Sequence, residues 1–363
     1  MTQPTTLKDA VDLAQLQRIL VIKLRHHGDV LLSSPVFSVL KQHAPHLSVD
    51  ALVYADTREM LSGHPAIDQI HVIDRAWRNS GLWNQTQHEW ALLRQLAMRR
   101  YDAIIHLTNH KRGMWLVWLL RPRYSISYKV QRSGARLWQR TFTHLTPIPG
   151  KQRHTVEKHL DTLRRIGVQP DQRSRALTLV PGQDADQRAA TLLAPLHGKP
   201  FLHCHPTSRW LFKCWPAEKT AAVLNQLLAQ DIQIVLTAAP SETELALVTQ
   251  IKSLLTKPVI DLTGQLSLKE LAAVCARAKC FFGVDSAPMH IAAAVKTPVV
   301  ALFGPSGDQE WAPWQTSHSV IVSDHSCRPC GLDGCGSGKV SECLSQLDET
   351  RVLAALTRHL GAR

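Results

Sequence analysis

The sequence predicts an α/β protein built as two doubly wound domains, and three observations carry that prediction. Short apolar runs of strand type alternate with helix-periodic stretches through both halves of the chain. The 363 residues, 44% of them hydrophobic, suit two domains of ordinary size and exclude a largely disordered chain. Polar turns rich in charge and hydroxyls follow several strands, at the ends where open α/β sheets bind ligands.

In the first half, Arg18 to Leu24 (RILVIKL) has the pattern of a buried strand. The polar turn Arg25–Asp29 follows, then an apolar-periodic helix from Val30 to about Gln42. Leu47–Tyr54 and Ile70–Ile73 read as strands. Gln87–Arg100 reads as a helix, with Trp90, Leu93, Leu96 and Ala97 at helical spacing, and Tyr101–Leu107 as the next strand. The second half repeats the alternation. Pro200–His205, Ile232–Thr237, Val259–Asp261, Cys280–Val284 and Val299–Phe303 read as strands. Between them lie helices over Pro216–Ala229, Ser241–Leu255, Ser267–Ala278 and Ser286–Val295. Pro216 suits a first helical turn. Ser267 and Glu270 form a Ser-x-x-Glu capping box. Pro, Gly, Asp and Gln accumulate over Val168–Gln187, which sets the expected domains at 1–175 and 176–345. A terminal helix in 346–363, over about Leu347–Leu360, is expected to pack back on the first domain.

Charge is unevenly distributed. The chain carries 42 Lys/Arg and 29 Asp/Glu, a net +13. Residues 1–98 and 181–363 are each neutral, whereas 99–180 hold 17 basic and 4 acidic side chains. A basic stretch within a neutral chain predicts one face that meets an anionic partner. The longest apolar run in that stretch, Met114–Leu120, has seven residues, far short of the roughly 20 a bilayer crossing needs. The first residues include acidic side chains and no apolar core of signal-peptide type, so a cytosolic location is expected. Eight cysteines are too few for a disulfide scaffold. Cys204, Cys214, Cys275 and Cys280 read as reduced thiols in apolar surroundings.

Three segments carry candidate chemistry. In the turn Lys23-Leu-Arg-His-His-Gly-Asp29, Asp29 is either a helix N-cap or a carboxylate base facing a ligand. In His205-Pro-Thr-Ser-Arg-Trp-Leu-Phe-Lys213-Cys-Trp-Pro216, the hydroxyls of Thr207 and Ser208 with the cations Arg209 and Lys213 suit a phosphate-bearing ligand; the alternative is a solvated loop anchored by tryptophan. No Walker A pattern is present. In Asp285-Ser-Ala-Pro-Met-His290, a strand runs into a helix of small residues. The N–H groups at Ser286, Ala287 and Met289 could face a diphosphate, and His290 lies near the first turn.

Together, Lys23-x4-Gly-Asp29, Lys213-x-Trp-Pro216 and Asp285-Ser-Ala-Pro-Met-His290 resemble glycosyltransferase family 9, the ADP-heptose:lipopolysaccharide heptosyltransferases. The resemblance spans nearly the whole chain. Over Ile19 to Asp74 it is most like the member that adds a side-branch heptose to the second heptose of the inner core. It implies the GT-B fold, two Rossmann-like domains facing a central cleft, the first binding the lipid acceptor and the second ADP-heptose. It implies Asp29 as general base and Lys213 as the cation on the donor diphosphate, with Thr207, Ser208 and Arg209 nearby. Glu242 aligns with a nucleoside-binding carboxylate and Leu266 with an adenine-packing residue. Asp285 would hold heptose hydroxyls, while Ser286, Ala287 and His290 would line the diphosphate. Ala287 stands where relatives often have glycine. Lys23, Arg25 and His26, with Lys111, Arg112, Arg132 and Arg136 of the basic stretch, are the expected acceptor contacts. The implied partners are ADP-heptose, lipid A-core lipopolysaccharide and the cytoplasmic surface of the inner membrane of a Gram-negative bacterium. No nucleic acid and no cofactor are expected.

No catalytic metal is expected either. Asp184-Ala-Asp186 resembles the Asp-x-Asp of metal-dependent GT-A enzymes, but it precedes an Ala-rich helix and reads as a helix start. Cys327-x2-Cys330-x4-Cys335-x7-Cys343 could bind a structural zinc ion, remain free thiols or oxidise to a disulfide. Heptosyltransferase II activity, or transfer to another core sugar, is the near alternative. A nucleic-acid-binding protein using 99–180 is the distant one, since Trp115, Trp118, Tyr124, Tyr128 and Trp138 interleave with the cations there. An NAD oxidoreductase is disfavoured because neither half carries Gly-x-Gly-x-x-Gly after a strand.

Overall fold

Ile19, Leu20, Val21 and Ile22 are all fully buried, as a strand covered on both faces requires. The same is true of Val299, Val300, Ala301 and Phe303 in the second half. The computed structural model describes residues 7–131, 135–147, 150 and 152–361. It divides into two compact units, Met1–Thr178 and Leu179–Arg363.

The first unit holds a parallel sheet of β1 (Arg18–Ile22), β2 (Ser48–Tyr54), β3 (Gln69–Ile73), β4 (Ala103–His106), β5 (Tyr124–Tyr128) and β6 (His144–Thr146). Their order is β3-β2-β1-β4-β5-β6. The second unit holds β7 (Phe201–His205), β8 (Gln233–Leu236), β9 (Ile260–Asp261), β10 (Cys280–Val284), β11 (Val299–Phe303) and β12 (His318–Val322). These are also parallel, in the order β12-β11-β10-β7-β8-β9. Counted from the first strand of each unit, the two orders are identical. Both are the doubly wound arrangement, in which strand order reverses beside the first strand and leaves a crevice at the carboxyl ends. In the first unit this switch point lies between β1 and β4. In the second it lies between β7 and β10.

The structure departs from the sequence expectations in instructive ways. The helix expected over Val30–Gln42 is two helices, His27–Leu31 and Ser34–His43. Pro35 has no N–H to continue the first helix, and it starts the second instead. The Ser33 hydroxyl donates to the Val30 carbonyl at 2.6 Å and closes the break. Strands β5 and β6 were not expected. Tyr-Ser-Ile-Ser-Tyr lacks a strand's apolar pattern because its serines serve neighbouring strands and loops. Ser127 donates to the His106 carbonyl and Ser125 to the Thr141 carbonyl, both at 2.9 Å. The terminal helix spans Glu349–Leu360. Its buried face, Val352, Ala355 and Leu356, belongs to the core of the second unit with Leu224, Phe282 and Leu302. The Ser267–Glu270 capping box has both of its hydrogen bonds. Among the described residues, no helix is long and apolar enough to cross a membrane.

Candidate active site

At the first switch point, β1 ends in a buried ammonium. Lys23 is 5% exposed and has its polar contacts inside the unit. Its Nζ donates to the Leu107 carbonyl at 3.3 Å, approaches His159 Nε2 at 2.9 Å and lies 3.4 Å from Asp29 Oδ1. His159 Nδ1 meets the Leu32 carbonyl at 3.1 Å, which requires the Nδ1–H tautomer and leaves Nε2 to accept from the lysine. Burial, with Lys23 alongside, pushes the His159 pKa well down and keeps the ring neutral. Burial also lowers the Lys23 pKa, and Asp29 opposes that shift.

This arrangement separates the two readings of Asp29. The N-cap of the His27–Leu31 helix is His26, not Asp29. Asp29 sits inside the first turn, where helix N–H groups favour an anion, and its side chain is 19% exposed. Lys23 therefore differs from the expected acceptor contact: it is an internal partner that holds the carboxylate.

Beside this turn opens a cavity of about 1060 Å³. Its walls come from the ends of β1 and β4, as the switch-point rule requires. Arg25 and His26 line it, as does Arg112. So do Arg75 and Arg78, which sequence reasoning missed because they come from a stretch with no net charge. Arg112 is paired with Glu89 and lies 5.8 Å from the Trp77 ring centre. Lys111 and Arg136 are exposed on the helices Lys111–Leu120 and Ala135–Thr141. Arg132 lies outside the described residues.

The basic stretch is also less free than its composition implied. Arg99 pairs with Asp50 at 2.8 Å, Arg165 with Asp9 at 2.6 Å and Arg175 with Glu157 at 3.1 Å. Arg153 and Arg164 both reach Asp161, at 2.6 and 2.7 Å. These cations are held by internal carboxylates, so they do not form one open face.

At the second switch point, Lys213 Nζ donates to Asp285 Oδ2 at 2.6 Å. Their side chains are 23% and 8% exposed. Lys213 is carried by the turn Leu211–Lys213, which is anchored by buried Phe212 and Trp215. Ser341 tightens the anchor by donating to the Phe212 carbonyl at 2.6 Å. Asp285 follows β10, whose Gly283 allows close contact with β7. A Cβ there would stand 2.7 Å from the His205 carbonyl oxygen. Ser286 caps the Ala287–Ala294 helix with extended backbone and no side-chain cap bond. Its hydroxyl is buried and has no hydrogen-bond partner among the described residues. That hydroxyl and the helix N–H groups lie at one end of a helix made of small residues, which suits an anion. His290 is buried on this helix, 6.5 Å from the Trp311 ring.

The remaining donor candidates divide. Thr207 is fully buried, and its hydroxyl donates to Glu244 Oε2 at 2.7 Å. Ser208 is buried and its N–H points to Cys214 Sγ at 3.2 Å. Arg209 is exposed, its guanidinium 5.6 Å from the Trp210 ring. Ala287 and Leu266 are partly buried, Leu266 against the cluster containing Leu262 and Val274. Glu242 is exposed at the start of the Glu242–Ser253 helix. The buried carboxylate beside the motif is Glu244, which accepts from Ser241 Oγ at 3.2 Å. Its sequence signal was Ser241-x-x-Glu244, a capping pattern that does not show which way the carboxylate faces.

Asp184 and Asp186 occupy the first turn of the Gln183–Leu193 helix, and Asp186 pairs with Arg277 at 2.8 Å. Among the described residues, no group of three or more His, Cys, Asp or Glu side chains is placed to hold a metal ion. Cys327, Cys330, Cys335 and Cys343 are four free thiols here. Only Cys343 of the four is buried, and burial raises its thiol pKa.

Comparison with known proteins gives the family and the fold. The sequence model of glycosyltransferase family 9 (heptosyltransferase) matches residues 89–340. The chain is 36% identical over 293 residues to lipopolysaccharide heptosyltransferase 3 of Escherichia coli K12, covering 80% of this chain and 83% of that protein. The crystal structure of the family 9 glycosyltransferase from Veillonella parvula superposes with a TM-score of 0.84 at 23% identity, covering 98% of this chain and 100% of that one. E. coli heptosyltransferase WaaC with ADP gives a TM-score of 0.70 at 19% identity, covering 94% and 100%.

Proposed function

The chain belongs to glycosyltransferase family 9 and has the GT-B fold, and from that premise we propose that it moves a heptose from ADP-L-glycero-β-D-manno-heptose to the second heptose of the lipopolysaccharide inner core. The observation that carries this reading is the likeness to E. coli lipopolysaccharide heptosyltransferase 3. At 293 residues, the matched length exceeds either unit, so it includes both acceptor and donor halves.

The reaction is a single displacement. The acceptor hydroxyl oxygen bonds to the anomeric carbon as the bond from that carbon to the ADP oxygen breaks. One attack from the opposite face inverts the anomeric configuration. Asp29 takes the hydroxyl proton as the new bond forms. Lys23 keeps the carboxylate aimed, and neutral His159 keeps Lys23 in place. Lys213 and the start of the Ala287–Ala294 helix stabilise the charge growing on the leaving diphosphate. Asp285, hydrogen-bonded to Lys213, accepts from heptose hydroxyls while the ammonium takes the phosphate. Glu244 holds Thr207 and so shapes the loop that carries Lys213. Because a lysine and a helix terminus supply this charge, transfer is expected to proceed at an unchanged rate in EDTA.

The first-unit cavity takes the acceptor. Arg25, Arg75, Arg78 and Arg112 give it the charge that a phosphorylated sugar requires. The lipid anchor of such an acceptor places the protein at the cytoplasmic face of the inner membrane. The test is transfer to truncated lipopolysaccharides of known structure. Transfer to cores already bearing two heptoses, and not to cores bearing one, supports the proposal. Transfer to a one-heptose core assigns heptosyltransferase II activity instead.

A further inference from the structure

The Leu82–Arg99 helix has two apolar faces, and only one meets the core. Leu92 and Leu96 are buried against Ile104 and Met114. On the opposite side, Trp83, Trp90 and Met98 are 75%, 70% and 67% exposed. Their spacing of seven and eight residues puts them on one stripe of the helix. The neighbouring Lys111–Leu120 helix repeats the pattern. Met114 and Val117 face inward, while Trp115, Trp118 and Leu119 face outward at i, i+3 and i+4. Trp115 and Trp118 meet edge to face at 5.7 Å. The outer faces of both helices line one groove of about 650 Å³, with Trp90, Leu93, Leu119 and Leu120 among its walls.

Arginines rim this groove: Arg94, Arg100, Arg121 and Arg123. The acidic side chain in its lining, Asp102, is turned inward and accepts from the N–H groups of Gln17 and Arg18 at 2.7 and 2.9 Å. The surface therefore presents apolar and cationic groups together. Contiguous exposed apolar surface of this kind marks a binding face rather than ordinary surface. Tryptophan and arginine flanking leucine is the composition of surfaces that seat in a lipid headgroup layer. The surface is also continuous with the acceptor cavity. Arg112 and Trp115, at the start of the Lys111–Leu120 helix, line the cavity, and Leu119 and Leu120 at its end line the groove.

We propose that the outer faces of the Leu82–Arg99 and Lys111–Leu120 helices form a docking surface for an anionic lipid bilayer, seating the first unit with its acceptor cavity beside the membrane. Tryptophans and leucines enter the headgroup layer, and the arginine rim pairs with lipid phosphates. Vesicle binding stands on this geometry alone; only its use, presenting a lipid-anchored acceptor, rests on the transfer reading above.

Flotation of the full chain with vesicles tests it. Wild-type protein is expected to float with phosphatidylglycerol/phosphatidylethanolamine vesicles and not with phosphatidylcholine vesicles. Trp83→Ser/Trp90→Ser/Trp118→Ser and, separately, Arg94→Gln/Arg123→Gln are expected to weaken that binding by about tenfold or more. All these positions are exposed, and circular dichroism checks that the variants fold. Both variants should retain transfer to a de-acylated, water-soluble acceptor while losing it on acceptor embedded in vesicles. Vesicle binding by wild type with no transfer to either acceptor leaves the docking surface standing and overturns the transfer reading. Binding unchanged by both variants overturns the docking surface. Equal binding to neutral vesicles, tryptophan-dependent self-association without vesicle binding, or RNA binding in its place does the same.

Discussion

Lys23 is a buried cation with three partners, and its worth depends on all of them. Its ammonium contacts the Leu107 carbonyl, His159 and Asp29. Lys23→Met leaves Asp29 without its anchor while leaving the second unit untouched. It is expected to lower kcat by about ten- to a hundredfold with ADP affinity unchanged. Steady-state kinetics and calorimetric ADP titration check this, and weakened ADP binding would place Lys23 in a different role. Lys213→Ala is expected to act on the other substrate, lowering kcat/KM for the donor by about a hundredfold. Unchanged donor kinetics would remove Lys213 from the diphosphate. Asp29, Lys213 and Asp285 were legible because each stands in a short motif at the end of a strand pattern. His159 and Glu244 were not. His159 contacts Lys23 and Glu244 contacts Thr207 from helices 136 and 37 positions distant in sequence, and no local signal records such pairings.

Close approach of elements sets how tightly the switch points are built. Gly113 lies in the Lys111–Leu120 helix, and a Cβ there would fall 2.0 Å from His106 Nε2. The His106 ring cannot readily give way, because it lies 5.5 and 5.8 Å from the rings of Trp138 and Phe142. Gly113→Ala is expected to cost about 1–3 kcal/mol through overpacking, read as a lower urea midpoint. A wild-type midpoint would show that the ring relaxes. The elements legible in the sequence were those whose strands are apolar throughout, such as β1, β10 and β11. Among those missed, β12 lies outside the basic stretch, whereas β5, β6 and the Thr155–Arg164 helix lie in it. There serine, histidine and arginine fill buried or half-buried positions by hydrogen bonding. An apolar pattern search cannot see a strand such as Tyr124–Tyr128, whose serines are buried because their hydroxyls are satisfied. The outer tryptophan stripe misleads in the opposite sense, since Trp90 looks like core and is exposed.

Both units share a liability to acid. Burial pushes the pKa values of His106, His203 and His205 down to about 3, and that of His159 well below the ordinary range. His203 and His205 both bond the single Thr237 hydroxyl, at 2.7 and 2.9 Å, so at most one of them accepts from it. Each histidine takes up its proton in the unfolded chain near pH 6.5 but resists it when folded. Their stabilisation is complete above pH 6.5 and is lost as pH falls from there toward 3. The expected loss by pH 5.5 is about 1.4 kcal/mol per histidine. Urea unfolding at pH 7.5 and 5.5 measures it, and equal midpoints would mean that these rings are not held neutral. On the proposed reading, the first unit takes the acceptor and the second takes ADP. ADP is expected to slow hydrogen exchange over 203–215 and 283–291 and not over 19–32, which contains Asp29. The transfer step itself is most directly measured by mass spectrometry of the acceptor. Wild-type protein or Asp29→Ala is incubated with ADP-heptose and a two-heptose lipopolysaccharide core. Wild type should add one heptose. Asp29→Ala should bind ADP normally yet transfer about a hundred- to ten-thousandfold more slowly. Full-rate transfer by Asp29→Ala, or no transfer by wild type to any heptose-bearing core, would contradict a displacement driven by that carboxylate.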